Sequence, residues 1–460
     1  MATPASTRDA AIRAALAEHR AGRLAAAEDA YRALIAACPG DAQMNHHLGV
    51  LLVQTGRAEE GLSHLKSALE ANGAEPLYHF SLAKGLLAAG NPAQAGVVLK
   101  QAMQRGLADR RFDALKTEIR ERAVAACREA LNENPSDAVL MDNLGSALLM
   151  QGKTEEAIVC YRQALAQAPD FAHAHFHLGA VLSQNGCVAE GFEHYMRHAV
   201  LIHDGQSVSS ADDPSFKKRH DAAQGEHNGH GEFHLADGGR LLGPAVNPGN
   251  ATPGLLEAWR SSRPQMVVVE DFLTQPALTK LREICASSTV WRKIYPAGYL
   301  GAAPEDGFAA PLLAQIVEET QAVFAPILSG EPFRYLGAFK YDSESSAGTN
   351  THADNSKVNV NLYITDDDAN LDPESGGMEI WDAAAPDIQV MRQLNGSEVM
   401  VQHFLKQSGG RRFIVPHRAN RVVIFKSTQF HKTGTLRFKT GYLSQRINIS
   451  LLFGQFGAEE

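Results

Sequence analysis

Residues 351–365 read THADNSKVNVNLYIT and end in a regular two-residue alternation. Apolar side chains fall on one parity of this stretch, at Val358, Val360, Leu362 and Ile364. Polar side chains fall on the other parity, at Asn359, Asn361 and Tyr363. Such alternation predicts a half-buried β-strand. Side chains two apart on a strand point to the same face, so we expect His352 and Asp354 to point the same way.

A histidine and a carboxylate on one side of a strand predict a shared metal ion. The H-x-D pair is weak by itself, because the chain contains 19 histidines. The third ligand we expect is His431, in RVVIFKSTQFHKTG at 421–434, just past another apolar strand. Two imidazoles and one carboxylate leave open coordination positions and favour ferrous iron over a closed zinc site. The alternative interpretation is a turn cap beside unrelated surface histidines.

A second stretch of alternating polar and apolar residues is SQRINISLLFG at residues 444–454. Arg446, Asn448 and Ser450 share one parity, while isoleucine and leucine occupy the other. An arginine on a polar strand face favours an anionic ligand, because a planar guanidinium binds a carboxylate through two parallel hydrogen bonds. The alternative is a structural ion pair within the protein.

The first 205 residues repeat with a period of 34. Glycines keep this spacing at Gly22, Gly56 and Gly90, and again at Gly152 and Gly186. Small side chains recur six times, at Ala27, Gly61, Ala95, Ala123, Ala157 and Gly191. The step from Ala95 to Ala123 is 28 residues, which predicts a shortened unit near 108–135. The pattern resembles tetratricopeptide repeats, and about six helical hairpins stacked as an α-solenoid are expected.

The sequence changes character after the repeats. Residues 206–262 are rich in Gly, His and Pro and lack periodicity, which predicts a linker. Beyond it, short β-branched and aromatic runs separated by turns are typical of a β-sandwich or barrel. We therefore expect a repeat solenoid at 8–205, the linker at 206–262 and a β-domain at 263–456. The glycine-rich stretch at 294–308 is a candidate lid.

Bulk composition argues against several function classes. A net charge of -9 and a pI near 6.1 argue against binding of nucleic acid or an anionic membrane. No long apolar run or signal-peptide pattern is present, so we expect no membrane segment and a cytoplasmic protein. The five cysteines are scattered and predict neither a disulfide framework nor a zinc ribbon. The oligomeric state stays unknown from the sequence.

Other histidines form a weaker metal candidate. In HAHFH at 173–177, His173 and His177 are one helical turn apart, and His194 and His198 follow on the next helix. The linker histidines are His220, His227, His230 and His234. Because no carboxylate stands among the first group in the HExxH manner, we expect a hydrated or peptide-binding surface there rather than a metal site.

Residues 265–454 resemble the 2-oxoglutarate- and Fe(II)-dependent dioxygenases, especially the prolyl-hydroxylase-like branch. A tyrosine precedes H-x-D in FKYDSESSAGTNTHAD at 339–354, and a second tyrosine lies on the following strand. A Gly-Gly pair follows in ESGGMEIWD at 374–382, and then come the distal histidine and a basic residue. The resemblance implies a double-stranded β-helix, also called a jelly-roll or cupin-like fold, with Fe(II), 2-oxoglutarate and O2 as cofactor and cosubstrates.

The same resemblance implies a role for each matching residue. The iron ligands would be His352, Asp354 and His431. Arg446 would bind the far carboxylate of 2-oxoglutarate, and Tyr341 or Tyr363 would help to position it. Many relatives have Arg-x-Ser where this chain has Arg446 and Asn448, so Asn448 and Ser450 are both candidates for the serine role.

These observations together predict an oxygenase with an attached protein-binding array. Tetratricopeptide repeats usually bind a peptide or protein segment in their groove, so hydroxylation of a protein or peptide side chain is the expected reaction. One alternative is a small-molecule hydroxylase that uses the repeats for assembly. The other is a non-catalytic adaptor protein whose β-domain has lost its chemistry.

Overall fold

A computed structural model describes residues 4–107, 109–229, 231–342 and 348–457 of the 460-residue chain. The linker histidine His230 and the SESSA segment at 343–347, which precedes the H-x-D pair, lie outside these ranges. The chain divides into two compact units, Met1–Gln167 and Ala168–Glu460. Within the described ranges, no helix combines the length and the apolar character needed to cross a bilayer.

The described part of the first unit is built from helices. They are α1 (Pro4–Arg20), α2 (Leu24–Ala37), α3 (Ala42–Gln54), α4 (Ala58–Ala71), α5 (Pro76–Ala88), α6 (Pro92–Gln104), α7 (Phe112–Glu133), α8 (Ala138–Met150) and α9 (Thr154–Gln167). Aspartate side chains cap two of these helices. The Asp41 carboxylate accepts a hydrogen bond from the Met44 amide at 3.0 Å, and Asp137 accepts one from the Val139 amide at 2.8 Å.

Two kinds of glycine produce the 34-residue period. Turn glycines such as Gly22 and Gly56 have φ angles of 75° and 82°, where glycine is unstrained, and they end one helix before the next begins. Packing glycines lie where the two helices of a hairpin touch. A Cβ on Gly61 would lie 2.8 Å from the Gly49 carbonyl oxygen, so only glycine allows α3 and α4 to pack this closely.

The described part of the second unit contains both helices and strands. Its helices are α10 (Ala172–Gln184), α11 (Val188–His203), α12 (Ser215–Asn228), α13 (Pro253–Ser261), α14 (Gln275–Ser287), α15 (Pro311–Val323), α16 (Ala325–Leu328), α17 (Ile388–Asn395) and α18 (Glu398–Gln407). Its strands are β1 (Met266–Val269), β2 (Lys293–Tyr295), β3 (Tyr299–Ala302), β4 (Phe333–Tyr341), β5 (Val358–Tyr363), β6 (Met378–Ala384), β7 (Arg412–Val415), β8 (Val422–Lys426), β9 (Gln429–Thr433) and β10 (Ile447–Phe453).

The strands form two antiparallel sheets. The larger sheet has the order β1-β8-β5-β10-β4-β3-β2, and the smaller has the order β7-β6-β9. One face of the larger sheet packs on α14 and α15 through an apolar core that includes Val360, Ile424 and Leu281. The other face meets the smaller sheet through a cluster that includes Phe425 and Ile380. The predicted fold class, a helical repeat region followed by an antiparallel β-domain of jelly-roll type, is confirmed.

The repeat region differs from the expected six hairpins in two respects. The position of the fourth small residue, Ala123, lies within the single long helix α7, because α6 ends at Gln104 and leaves too few residues for a separate first helix. Five hairpins therefore occur among the described helices. The last of them, α10 with α11, belongs to the second unit, where the ring of Phe192 lies 6.0 Å from that of Phe333 on β4.

The segment 206–262, expected to be a linker, is part of the second unit and packs against its other elements. Polar side chains of α12 hold it there: the buried Gln224 amide donates to the Ser288 carbonyl at 2.9 Å, and the Asn228 amide donates to the Ser287 carbonyl at 2.7 Å. Downstream, the Glu319 carboxylate accepts from the Val246 amide at 2.8 Å. Because these contacts join polar side chains to the backbone, they leave no hydrophobic period in the sequence.

Candidate metal centre

Backbone pairing brings the three expected metal ligands together. The His352 amide donates to the His431 carbonyl at 3.0 Å, and the His431 amide donates to the His352 carbonyl at 2.8 Å. The Asp354 amide donates to the Ser427 carbonyl at 2.9 Å. His431 lies on β9, whereas the H-x-D pair lies just before β5. One ligand atom from each of the three side chains lies within 4.8 Å of the other two.

Hydrogen bonds fix the two imidazoles in the tautomer that a metal requires. His352 Nδ1 lies 2.8 Å from the Asn350 carbonyl oxygen, and His431 Nδ1 lies 2.9 Å from the Gln429 carbonyl oxygen. A carbonyl oxygen only accepts, so each Nδ1 carries the proton and each Nε2 presents a lone pair. The Nε2 atoms of His352 and His431 lie 3.8 and 3.3 Å from the Asp354 carboxylate oxygens.

The protonation states also suit a divalent metal. Burial, followed by the neighbouring His431, lowers the pKa of His352 and favours its neutral form. Burial raises the pKa of the Asp354 carboxyl, but the interactions with the adjacent histidines and the hydrogen bond from Asn359 outweigh it, so the net shift is downward. Asn359 Nδ2 donates to Asp354 Oδ2 at 2.8 Å. Two neutral imidazoles and one oriented carboxylate fit ferrous iron.

Arg446 is a buried cation with no acidic partner among the described residues. Its side chain is 1% exposed, and its guanidinium lies between the rings of Tyr341 and Tyr363, 4.9 and 5.1 Å from their centroids. It donates to the Gly376 carbonyl and to Asn448 Oδ1, both at 2.6 Å. No carboxylate of the described residues lies within ion-pair distance. Because an unpaired buried charge is costly, this arrangement fits an anionic ligand.

The polar face of β5 carries unsatisfied hydrogen-bonding groups. The Oδ1 atoms of Asn359 and Asn361 and the hydroxyl of Tyr363 are buried without a partner of normal geometry among the described residues. Buried polar atoms of a native protein nearly always have partners, so three orphans on one strand face indicate a polar ligand beside it. Burial raises the pKa of the Tyr363 phenol to about 12, which keeps it a neutral donor.

The two candidates for the serine role contact protein groups. Asn448 orients Arg446 by accepting one of its hydrogen bonds. The Ser450 hydroxyl accepts from Asn361 Nδ2 at 2.7 Å. Pairing of β10 with β5 places Asn448 opposite Tyr363 and Ser450 opposite Asn361, so all four side chains line one surface. The alternation read from the sequence is present, although β5 is buried on both faces rather than half-buried.

A cavity of about 260 Å³ lies beside the metal ligands and is bordered by Asn448, which contacts Arg446. Its lining includes the three metal ligands, the two asparagines of β5, Asn448, Ser450 and Tyr341. One wall is aromatic and was not expected from the sequence. Tyr295, Tyr299 and Tyr341 pair in register across β2, β3 and β4, and their rings stack 4.4 and 5.0 Å apart. The expected lid at 294–308 therefore contains a hairpin of the larger sheet.

Thr433 is a further lining residue that sequence reasoning missed. It follows His431 by two residues on β9, and its hydroxyl lies 2.9 Å from the Tyr341 hydroxyl. The signal in the sequence was the two-residue spacing from His431, which puts both side chains on one strand face. Burial raises the pKa of Tyr341, so the phenol stays neutral in this contact.

The other histidines do not assemble a comparable site. Among the described residues, His352, Asp354 and His431 are the one group of three candidate ligands close enough to share an ion. His175 Nδ1 lies 2.8 Å from His194 Nδ1, and His198 Nδ1 lies 2.9 Å from the Ala172 carbonyl oxygen. His220 in α12 contacts the Asp221 carboxylate at 3.0 Å.

The first unit contains a cavity of about 470 Å³. Val50 and Val53 of α3 and Phe80 and Leu87 of α5 contribute apolar walls. Lys84 and Glu118 also line the cavity and form an ion pair of 2.9 Å. A pocket with an apolar floor and a charged edge suits a side chain of a bound segment.

Two family models match parts of the chain. A model described as "Tetratricopeptide repeat" matches residues 4–42, and one described as "TPR repeat" matches residues 145–186. The repeats predicted from the 34-residue period are confirmed by these matches. A curated relative, the peroxisomal targeting signal receptor of Candida glabrata, is 36% identical over 108 residues. That alignment covers 21% of this chain and 18% of the receptor's length.

Solved structures of two kinds are similar to the chain. The non-heme alpha-ketoglutarate-dependent carbocyclase SnoK from nogalamycin biosynthesis is 13% identical, over 46% of this chain and 87% of that one, with a TM-score of 0.36. MamA from Desulfovibrio magneticus RS-1 is 16% identical, over 42% of this chain and 94% of that one, with a TM-score of 0.21. Both TM-scores lie below 0.5, so an assignment of activity depends on the chemistry of the site.

Proposed function

We propose that the second unit is a 2-oxoglutarate- and Fe(II)-dependent oxygenase, with its catalytic domain at 263–456, that hydroxylates a side chain of a protein or peptide. The observation that carries this proposal is the connection of two features through one cavity, which is lined by the three metal ligands and by Asn448, the acceptor of a hydrogen bond from Arg446. The first feature is the cluster of two histidines and one carboxylate. The second is the guanidinium of Arg446, which has no acidic partner among the described residues. A bidentate 2-oxo acid with a second carboxylate matches both features.

Each residue has a defined task in this proposal. His352, Asp354 and His431 would hold Fe(II), and Asn359 would keep the Asp354 carboxylate oriented. Arg446 would bind the distal carboxylate of 2-oxoglutarate, with Asn448 orienting the guanidinium. With iron, 2-oxoglutarate and O2 bound, the centre would supply oxidative decarboxylation to succinate and CO2, coupled to insertion of oxygen into a C–H bond. The buried walls of the cavity would exclude water from this chemistry.

The tetratricopeptide repeats favour a polypeptide as the oxidised substrate. The first unit holds a partly apolar cavity with a charged edge, and the matching curated relative is named as a receptor for a targeting signal. A segment bound by the repeats would be present at a high effective concentration near the oxygenase. Peptide recruitment would therefore increase turnover of a substrate whose affinity for the cavity of the second unit alone is low.

Succinate production tests the proposal directly. The full chain is incubated with Fe(II), 2-oxoglutarate, O2 and a peptide library, with Asp354→Ala as the inactive control. We expect succinate from the wild type, more of it with some peptides, and a mass increase of one oxygen atom on those peptides. Succinate formation that responds to small molecules and to no peptide would instead support the small-molecule hydroxylase. If the folded protein binds neither Fe(II) nor 2-oxoglutarate, the result would instead support the non-catalytic adaptor.

A further inference from the structure

The H-x-D segment is an edge of the smaller sheet, and its outer side needs hydrogen-bond partners. On the inner side, His352 pairs with His431, and the Asp354 amide bonds to Ser427. The intervening residue, Ala353, faces the opposite direction with its amide and carbonyl. Its methyl group is buried in an apolar cluster with side chains of α17 and α18. A regular sheet would supply another strand at this edge.

Side chains from the turn between α17 and α18 take the place of that strand. Asn395, the last residue of α17, accepts from the Ala353 amide at 3.0 Å and donates to the Ala353 carbonyl at 2.7 Å. Glu398, the first residue of α18, accepts from the Thr351 amide at 2.7 Å and from the Thr351 hydroxyl at 2.9 Å. The amide group of Asn395 makes the same two bonds that a strand residue would make.

These four hydrogen bonds flank His352, and the two at Ala353 directly precede Asp354. Thr351 directly precedes His352, and Ala353 lies between His352 and Asp354. The backbone of the ligand segment is therefore held on both sides. Gln402 strengthens the arrangement by donating to Glu398 Oε1 at 2.8 Å. We propose that Asn395 and Glu398 are positioning residues of the metal centre, which set the directions of His352 and Asp354 without touching the metal. This inference rests on the proposed metal site.

The same contacts would also be expected to stabilise the fold, so a metal-specific measurement is required. Asp387 provides a matched control because it caps α17 at the other end, where its carboxylate accepts from the Gln389 and Val390 amides at 2.8 Å. Asp387→Ala weakens the same helix while leaving the bonds to Thr351 and Ala353 intact. Asn395→Ala removes the two bonds to Ala353 and leaves the Asp387 cap intact.

The experiment is anaerobic titration of the full chain with Co(II), followed by its visible d–d absorption. Partners of metal ligands typically contribute about 10–100-fold to metal affinity. We expect Asn395→Ala to raise the Kd for Co(II) by about tenfold or more, and to change the shape of the absorption band at saturation, because the ligand directions relax. Asp387→Ala should keep both the wild-type Kd and the wild-type band.

A second variant keeps the test decisive if Asn395→Ala does not fold. Glu398→Gln has nearly the same shape but loses one of the two accepting oxygens, and we expect a smaller rise in Kd with the same change in the band. Wild-type Kd and band in both variants would overturn the inference, and so would an equal loss of affinity in Asp387→Ala. If the wild type itself binds no Co(II) or Fe(II), the metal site and with it the proposed function fail.

Discussion

Replacement of Arg446 by methionine separates a ligand-binding arginine from a structural one. The two hydrogen bonds that Arg446 makes, to the Gly376 carbonyl and Asn448 Oδ1, are with neutral acceptors. Its charge is therefore uncompensated in the free protein. We expect Arg446→Met to lose affinity for 2-oxoglutarate and to keep nearly all of the stability of the ligand-free second unit.

The expected magnitudes follow from the contacts. Two parallel charge-assisted hydrogen bonds are worth about 3–6 kcal/mol together, so the Kd for 2-oxoglutarate should rise by at least about 100-fold. In the ligand-free protein, the guanidinium is the charged donor to two neutral acceptors, so loss of these bonds costs about 3–6 kcal/mol. Loss of the contacts with the faces of Tyr341 and Tyr363 costs about 1–2 kcal/mol more. Removal of a desolvated cation recovers several kcal/mol, so we expect a net change within about 2 kcal/mol.

Two measurements on the same samples test both halves of this expectation. Anaerobic titration of the Fe(II)-loaded protein with 2-oxoglutarate, followed by the weak visible charge-transfer band, gives the Kd. Urea unfolding of the metal-free protein, followed by tryptophan fluorescence, gives the stability. The three tryptophans are Trp259, Trp291 and Trp381. All lie in the second unit, so fluorescence reports its unfolding alone.

Arg421 is a matched control because it has an acidic partner. Its guanidinium lies 2.7 Å from the Glu270 carboxylate and also donates to the Pro416 carbonyl. Arg421→Met should keep the wild-type Kd for 2-oxoglutarate and lose stability, since its partners are left unpaired. A Kd for Arg446→Met within threefold of the wild type would refute the assignment of Arg446 as the anion ligand. A fall in affinity that Arg421→Met shares equally would refute it as well.

Three further substitutions test other parts of the molecule. Tyr363→Phe removes a buried hydroxyl that has no hydrogen-bond partner of normal geometry among the described residues. Unfolding in urea should be nearly unchanged while the Kd for 2-oxoglutarate rises about fivefold to tenfold, and an unchanged Kd would contradict a contact with the cosubstrate. Gly61→Ala should lower the melting temperature of the repeats, with a loss of about 1–3 kcal/mol, because its Cβ would lie 2.8 Å from the Gly49 carbonyl; calorimetry detects this loss, and wild-type stability would contradict it. Val50→Glu in the cavity of the first unit should raise KM for a peptide substrate and leave peptide-independent succinate formation unchanged; an equal loss of both activities would contradict recruitment by the repeats.

Local sequence patterns were sufficient to predict which residues form the polar side of the candidate site. Alternation over 358–364 indicated the strand and its polar face, because side-chain direction on a strand depends only on parity. The H-x-D pair has the parity of the apolar face, and it reaches the polar cavity because a bend at 355–357 separates it from β5. The aromatic wall was not predictable in this way. Tyr295 and Tyr299 join Tyr341 through pairing of strands that are about forty residues apart in the chain, and sequence alone does not fix that register.

The positions of α12 and of the turn that carries Asn395 could not be predicted from the sequence either. Both are held mainly by polar side chains that bond to backbone groups far away in the sequence, as Gln224 does with Ser288 and Asn395 with Ala353. Such bonds produce no periodic pattern, and the residues that make them read as ordinary loop or helix-end residues. Hydrophobic periodicity therefore predicted which elements exist, whereas long-range polar contacts decided where several of them lie.

A series of neighbouring residues connects the metal ligand His431 with Arg446, and it favours a cosubstrate with an acidic group at each end. On β9, Thr433 follows His431 by two residues, a rise of about 6–7 Å along the strand. The Thr433 hydroxyl contacts that of Tyr341, whose ring covers Arg446. A dicarboxylic 2-oxo acid would have a group for each end of this series, with its chelating end at the histidines and its second carboxylate at the guanidinium.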